Sequence, residues 1–295
     1  MSRCLVTGHK GYIGSHLYKK LKDIGHEVLG IDLIDGQDIN GVEGLTESAD
    51  GNFLPHWSNF EPEYIFHLAC IPRVAYSVKH PVKTMSNNVL CTSNVLNFAK
   101  RMGVKRVIYS SSSSVVGNGD GPTNPYGLQK LVSEMECKLY SQLYSLETVS
   151  LRYFNVYSKD QKADGPYATA ISNWMQYIRE SRSPYITGDG TQRRDMLHVD
   201  DAVSANIFAM NYENRFGGAN FDVGTGVNIS LNQVKDIVQN YFANVEFKYV
   251  KSRPGEVQET KADVRPLSDL GWNTEIAIKD GIEECFRELS KTDKR

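Results

Sequence analysis

Cysteine is sparse and scattered in this chain. Cys4, Cys70, Cys91, Cys137 and Cys285 are odd in number, and no C-x-x-C occurs. A disulfide framework or thiolate metal site is not expected, and free thiols in a reducing compartment are the expectation. The histidines form no H-x-x-x-H pair and no cluster with cysteine, so no metal is expected. No apolar run approaches the ~18 residues that a membrane-spanning helix needs. Charge of neither sign dominates: the net charge is −2, with no basic block or polybasic tail. Nucleic acid and an anionic membrane are therefore not expected as partners. The opening "MSRCLVTG" enters a strand-like run at once and leaves no room there for a signal peptide; a cytoplasmic protein is expected.

What is there is an ordinary globular composition. Over 295 residues, 40% hydrophobic and 23% charged, the chain is long enough for one large or two modest domains with real cores. Strand and helix periods alternate through the first half. "RCLVTG" is a short apolar run. "YIGSHLYKKLKDIG" sets Ile13, Leu17 and Leu21 on one helical face, with Gly25 at its C-cap. "HEVLGID" and "EYIFHLA" read as strands, 84–102 as a helix, "KRVIYSSS" as a strand, then a helix ending near Tyr144, then the strand "LETVSLRYF". This alternation implies a parallel sheet with helices on both faces. Between Asp32 and Pro62 the pattern is interrupted, and only "GNFL" reads as a strand. After about residue 157 the rhythm changes to a smaller α+β region. "DGPYATAISNWMQYIRES" is helical, "PYITGDGTQRRDMLHVDD" holds a turn and a strand, and helices follow near 199–211, 230–242 and 276–290.

"TGHKGYIG" sets Gly8, Gly11 and Gly14 between the first strand and the first helix. Holding a pyrophosphate requires glycine there, for the tight turn, the close backbone approach and the packing of helix on strand. The helix N-terminus supplies N–H groups and partial positive charge. Asp32 ends the second strand about 20 residues on, as in a dinucleotide-binding unit. A carboxylate there accepts from both hydroxyls of an adenosine ribose and repels a 2′-phosphate, which favours NAD over NADP. The expected fold is α/β, a Rossmann-type doubly wound parallel sheet with a smaller α+β C-terminal substrate domain. The expected division is 1–157 and 158–295, with parts of 194–225 returning to the first domain.

"NPYGLQK" places Tyr126 four positions before Lys130, on one face of a helix. With 16 tyrosines, roughly one such match arises by accident, and Tyr18 with Lys22 in "YKKLK" is a second. Their surroundings separate the two. "YSSSSSVVG" lies at the C-terminal end of a parallel strand, where open α/β sheets bind ligands, and "NPYGLQK" opens the next helix. A serine hydroxyl and the Tyr126 phenol can converge there, whereas Tyr18 sits in the body of its helix. A neighbouring ammonium lowers a phenol's pKa and makes Tyr126 a candidate general base.

These motifs, together with "FHLAC", "NNVLCTSNVL", "LRYFNVYS", "GDGTQRRDMLHVDD", "FDVGTG", "RPGE" and "LGW", run nearly end to end. With them the chain resembles the extended short-chain dehydrogenase/reductase family, in its nucleotide-sugar epimerase/dehydratase branch. The resemblance implies NAD as cofactor and a nucleotide-diphosphate sugar, a UDP-sugar first, as substrate. It implies a homodimer docked through the helices near 84–102 and 126–145. Tyr126 would take the proton of a sugar hydroxyl while hydride leaves the adjoining carbon. Lys130 would bind the nicotinamide ribose and depress the Tyr126 pKa. Ser112 would hydrogen-bond the reacting hydroxyl; it stands four residues before Val116, which occupies the family's tyrosine position. Gly8, Gly11, Tyr12, Ile13, Gly14, Asp32, Leu68, Ala69, Asn88 and Tyr153 would complete the cofactor site. Ser114, Asn155, Thr169, Arg194, Arg253, Glu256 and Thr260 would face the substrate. The two arginines would fork onto its pyrophosphate, and Glu256 would take its nucleotide ribose.

The resemblance also sorts the reactions. Dehydratases of the branch carry an acidic pair where this chain has Ser113 and Ser114. The fucose-synthase type needs a Cys/His pair and usually NADPH, and glucuronate decarboxylases usually carry an acid in the serine loop. A 4-epimerase is expected, acting through transient oxidation at sugar C4. UDP-GlcNAc/GalNAc and/or UDP-Glc/Gal are favoured, because Thr260 is small where a tyrosine would narrow the pocket. UDP-glucuronate 4-epimerase, or another NAD-dependent dehydratase, decarboxylase or reductase, is the alternative. A non-catalytic dinucleotide-binding interaction module is the alternative of another class; the intact Ser112, Tyr126 and Lys130 speak against it.

Overall fold

Four of the five residues of β1 (Arg3–Thr7) are buried, as befits a strand covered on both faces. It pairs in parallel with β2 (Glu27–Ile31) and with β3 (Tyr64–His67), matching Leu5 to Leu29 and to Ile65. β4 (Arg106–Ser112) lies parallel to β3, and β5 (Thr148–Tyr153) and β8 (Asn220–Val223) complete a six-stranded sheet in the order β2–β1–β3–β4–β5–β8. The structure is a computed structural model and describes residues 1–40, 60–117, 119–163, 169–252 and 257–292. The expected "GNFL" strand, the segment 164–168, Arg253 and Glu256 lie outside the described residues.

α1 (Tyr12–Asp23) buries Gly14, Leu17 and Leu21 and closes where the Gly25 N–H meets the Lys22 carbonyl at 3.0 Å. The helix expected over 84–102 is not uniform. It is preceded by α2 (Val74–Lys79) and begins at Pro81, a residue suited to a first helical position, as α3 (Pro81–Met85). It then widens into a five-residue π turn, Ser86–Leu90, before α4 (Cys91–Met102). α5 (Pro125–Tyr144) starts on Asn124, whose side chain accepts the Gly127 N–H at 2.9 Å.

The chain divides into two compact units, Met1–Arg152 with Val203–Phe221, and Tyr153–Ala202 with Asp222–Arg295. The core of the first packs Leu5, Ile65, Val95, Phe98, Val107 and Tyr109 between sheet and helices. Residues 203–221 join it through the end of α7 (Val199–Asn211). The buried Arg106 guanidinium donates to the carbonyls of Ala209, Tyr212 and Asn214 at 2.6, 2.7 and 2.8 Å, satisfying acceptors that a helix end leaves without partners.

The second unit is built on α6 (Ala170–Arg179), α8 (Leu231–Tyr241) and α9 (Ile278–Thr292), which bury Trp174, Val234, Ile282 and Phe286. α6 is shorter than the helical stretch read from sequence, because Thr169 caps it through a reciprocal bond with Ser172. Two small sheets flank these helices. One pairs β10 (Lys248–Val250) with β6 (Tyr185–Thr187). The other orders β11 (Glu259–Thr260), β7 (Arg193–Arg194) and β9 (Ile229–Ser230). The stretch read as one turn and one strand therefore holds two strands.

Candidate active site

Gly8 has φ +72°, and a Cβ on it would lie 2.7 Å from the Ala69 nitrogen; only glycine accepts both the conformation and the approach. A Cβ on Gly14 would run into the Gly8 carbonyl. The Gly11 N–H bonds that carbonyl at 2.9 Å. Gly11 then stands as N-cap of α1 with no side-chain cap, so the first turn, Tyr12 and Ile13, presents helix N–H groups suited to an anion. Asp32 closes the cradle. Its Oδ2 accepts the Lys10 N–H at 2.9 Å and its Oδ1 the Ile34 N–H at 3.0 Å. Each carboxylate oxygen has a second acceptor position, which leaves capacity for ribose hydroxyls. A turn whose Gly8 and Gly14 leave no room for a Cβ, with free helix N–H groups after it and a carboxylate at its end, fits NAD.

The far wall is the end of β3. His67 is buried, and desolvation pushes its pKa down to about 3, with the Lys130 charge acting in the same direction. It is therefore neutral, and its neighbours define the tautomer. The Thr92 hydroxyl donates to the Asn88 carbonyl at 2.7 Å and so accepts from His67 Nε2 at 3.1 Å. His67 Nδ1 then accepts from the Thr7 hydroxyl at 2.7 Å, and Thr7 Oγ1 accepts the Ala69 N–H at 3.2 Å. The Leu68–Ala69 loop is thus held by a chain running to the π turn. Asn88, expected beside the cofactor, has its side chain engaged within the protein. It accepts the Ile71 N–H at 2.7 Å and donates to Gln129 Oε1 at 2.8 Å.

Tyr126 and Lys130 occupy the buried face of α5, 8% and 2% exposed. Lys130 Nζ donates to the Ser110 carbonyl at 2.6 Å and lies 5.9 Å from the centre of the Tyr126 ring. Ser112 accepts the Ser114 N–H at 3.2 Å and donates to the Ser114 hydroxyl at 3.2 Å. Lys130 does lower the Tyr126 pKa, as expected from its place one turn on, but burial opposes it. Burial raises the Tyr126 pKa well above the ordinary phenol value. The Lys130 charge and a hydrogen bond with Ser112 pull it down, but by less than desolvation pushes it up. The second Tyr-x-x-x-Lys behaves differently: Lys22 lies 5.4 Å over the Tyr18 ring, which packs on His9 at 5.2 Å.

The second unit presents a cavity of about 280 Å³ lined by Asn155, Thr169, Trp174, Tyr185, Gln192 and Arg194, among others. Asn155, with φ +35°, donates to the Asp195 carbonyl at 2.7 Å and to Thr260 Oγ1 at 3.3 Å. Thr260 pairs with Arg194 across β11 and β7, so Asn155, Arg194 and Thr260 meet at one edge. The Arg194 guanidinium donates to the Arg193 carbonyl at 2.9 Å. Thr169 lines the cavity, but its hydroxyl is committed to the helix cap and to Gln161 Oε1 at 2.6 Å. Tyr153 is buried at the end of β5.

Sequence reasoning missed the supports beneath these residues. Ser77, fully buried, accepts the Tyr126 N–H at 3.1 Å and donates to the Val74 carbonyl at 2.7 Å. Gln129 donates to Thr84 at 2.9 Å. Glu134 binds Arg152 through both carboxylate oxygens, at 2.8 and 2.6 Å, and accepts from Ser111. Glu134 had a legible signal, since it follows Lys130 by one helical turn. Ser77 had none, because its partner lies on another element.

A parallel sheet with a glycine cradle after β1, an acid ending β2, and a buried Tyr-x-x-x-Lys after β4 defines a dinucleotide-dependent class of enzyme. Residues 4–224 match the NAD dependent epimerase/dehydratase family, and the chain belongs to that family. The UDP-glucose 4-epimerase of Mycolicibacterium smegmatis is 30% identical over 98% of this chain and 100% of its own. The crystal structure of UDP-glucose 4-epimerase with UDP-glucose from Thermotoga maritima superposes with a TM-score of 0.88 at 28% identity, over 98% of this chain and 99% of that one. The UDP-N-acetylglucosamine 4-epimerase from Methanobrevibacter ruminantium M1, in complex with UDP-N-acetylmuramic acid, gives 0.84 at 28% identity, over 98% and 97%.

Proposed function

We propose that this protein is an NAD-dependent 4-epimerase of UDP-sugars. The observation that carries the reading is the buried Tyr126–Lys130 pair on α5, with Lys130 held by the Ser110 carbonyl. Gly8, Gly11, Gly14, Asp32 and the Leu68–Ala69 loop would hold the dinucleotide, and Asn155, Arg194 and Thr260 the nucleotide diphosphate and sugar. When bound, NAD supplies the hydride acceptor and donor at the sugar carbon, and a positive ring. Tyr126 holds the proton of the C4 hydroxyl during oxidation and gives it back on reduction, while Ser112 orients that hydroxyl. The Lys130 charge lowers the Tyr126 pKa against the opposing effect of burial, and so would favour the phenolate that takes the proton. Neither Ser113 nor Ser114 offers a carboxyl for eliminating water, so the sugar leaves epimerised rather than dehydrated.

The reading includes a homodimer. Val82, Met135, Leu139 and Leu143 lie exposed on α3 and α5, and an apolar face of this kind marks an interaction surface. It also includes a cytoplasmic location, supported by five free cysteines. No helix of the described residues is long and apolar enough to cross a membrane.

The test is a panel of UDP-, dTDP- and GDP-sugars incubated with protein and NAD, with products identified by NMR. C4-inverted UDP-sugars are expected, with UDP-GlcNAc accepted beside or above UDP-Glc. Thr260→Tyr should lower kcat/KM for UDP-GlcNAc relative to UDP-Glc, because overfilling a packed wall costs about 1–3 kcal/mol. An unchanged ratio would remove Thr260 from the sugar pocket, and dehydrated or decarboxylated products would replace the epimerase reading.

A further inference from the structure

The adenosine end of the glycine cradle carries two basic side chains that the reading above leaves unused. Lys10 bonds Asp32 through its backbone N–H, while its ammonium is paired with Asp35 Oδ1. The other oxygen of Asp35 lies 3.4 Å from His9 Nε2. His9 is fixed in place. A Cβ on Gly30 would strike its ring, Tyr18 packs on it at 5.2 Å, and its buried Nδ1 has no hydrogen-bond partner among the described residues. One carboxylate therefore engages Lys10 and faces His9, next to the acid that ends β2.

We propose that Asp35 is a second determinant of cofactor choice. By pairing with Lys10 it withholds a cation that would otherwise accept a 2′-phosphate, so preference for NAD depends on Asp32 and Asp35 together. The inference rests on the reading that this loop binds NAD. An exposed ion pair such as Lys10–Asp35 holds its partners weakly. An ammonium released beside the ribose would instead meet a phosphate carrying more than one negative charge, to which a charge-assisted bond is stronger. Asp32 would still repel that phosphate, so the release should narrow the preference without inverting it.

The experiment titrates NAD and NADP separately into nucleotide-free protein, followed by intrinsic fluorescence and calorimetry. Wild type should bind NAD more tightly than NADP; failure to bind NAD would overturn the parent reading. Asp35→Asn should leave NAD affinity within about twofold and tighten NADP roughly fivefold, with the gain shrinking at about 0.5 M salt. Lys10→Ala with Asp35→Asn should erase the gain. An unchanged NADP affinity in Asp35→Asn, with NAD still bound, overturns the proposal, and so does a gain that survives loss of Lys10. Lys10→Ala alone gives an arm that does not depend on how Asp35→Asn folds. It should leave NADP affinity unchanged, and a loss there would mean that Lys10 already serves the phosphate, which also overturns the proposal.

Discussion

Tyr126 and Tyr18 share a spacing to lysine and differ in what surrounds them. Tyr126 is buried, with Lys130 anchored to β4, whereas Tyr18 packs on His9 with a lysine merely passing over its ring. Tyr126→Phe is expected to cut epimerase turnover by roughly 10²–10⁴ while NAD still binds, because only the proton acceptor is lost. Tyr18→Phe should retain wild-type turnover; equal losses in the two variants would dissolve the assignment. His67 ties stability to pH. Its folded pKa of about 3 lies below the unfolded 6.5, so below pH 6.5 the unfolded chain binds a proton that the folded chain refuses. Stability is lost as pH falls from 6.5 towards 3, by about 1.4 kcal/mol per unit from this group. His67→Gln should show an acid limb shallower by that amount in urea titrations between pH 6 and 4. Parallel limbs would mean that His67 does not carry the effect.

At the scale of elements, helix ends and side-chain caps decide where the catalytic side chains stand. α5 begins correctly because Asn124 caps it and because Ser77, from α2, takes the Tyr126 N–H. The π turn at Ser86–Leu90 carries Asn88, which ties the Ile71 loop to Gln129, the residue before Lys130. Arg106 works at the far end of the same unit, gathering the carbonyls that end α7. Arg106→Met keeps much of the side chain's apolar bulk but strands those buried acceptors. It is expected to lower unfolding free energy by about 2–4 kcal/mol. The check is a urea midpoint that falls with an unchanged m-value, and a midpoint equal to wild type would show those carbonyls satisfied by water instead.

For the molecule as a whole, the exposed apolar side chains of two helices bear on assembly. On α5, Met135, Leu139 and Leu143 recur at helical spacing, Met135 and Leu143 each 64% exposed, and Val82 on α3 is 82% exposed. Residues so placed cover one another when two copies meet through these helices, as in other helix-on-helix interfaces. Wild type is expected to scatter light as a dimer at micromolar concentration. Leu139→Lys with Leu143→Lys, which puts charge into that face, should scatter as a folded monomer. A dimer that survives both substitutions would place the contact elsewhere.

Periodicity alone determined much of this protein. Leu17 and Leu21 repeat on a helical face, the short run "RVIYSSS" forms a strand buried along nearly its whole length, and Gly8, Gly11 and Gly14 have few other uses between a strand and a helix. Each of these is a local pattern, and local steric and solvation rules act within a few residues. The same rules put Tyr126 and Lys130 on one helix face. They could not decide the protonation of that phenol, because burial comes from distant elements and here outweighs the adjacent lysine. Nor could they find Ser77 under Tyr126, Arg152 on Glu134 or Thr260 against Asn155, pairs brought together across 49, 18 and 105 residues. A hydrogen bond depends on distance in space and takes no account of separation along the chain. The tertiary structure therefore decided the environment of the chemical groups, and the sequence had already decided which groups there were.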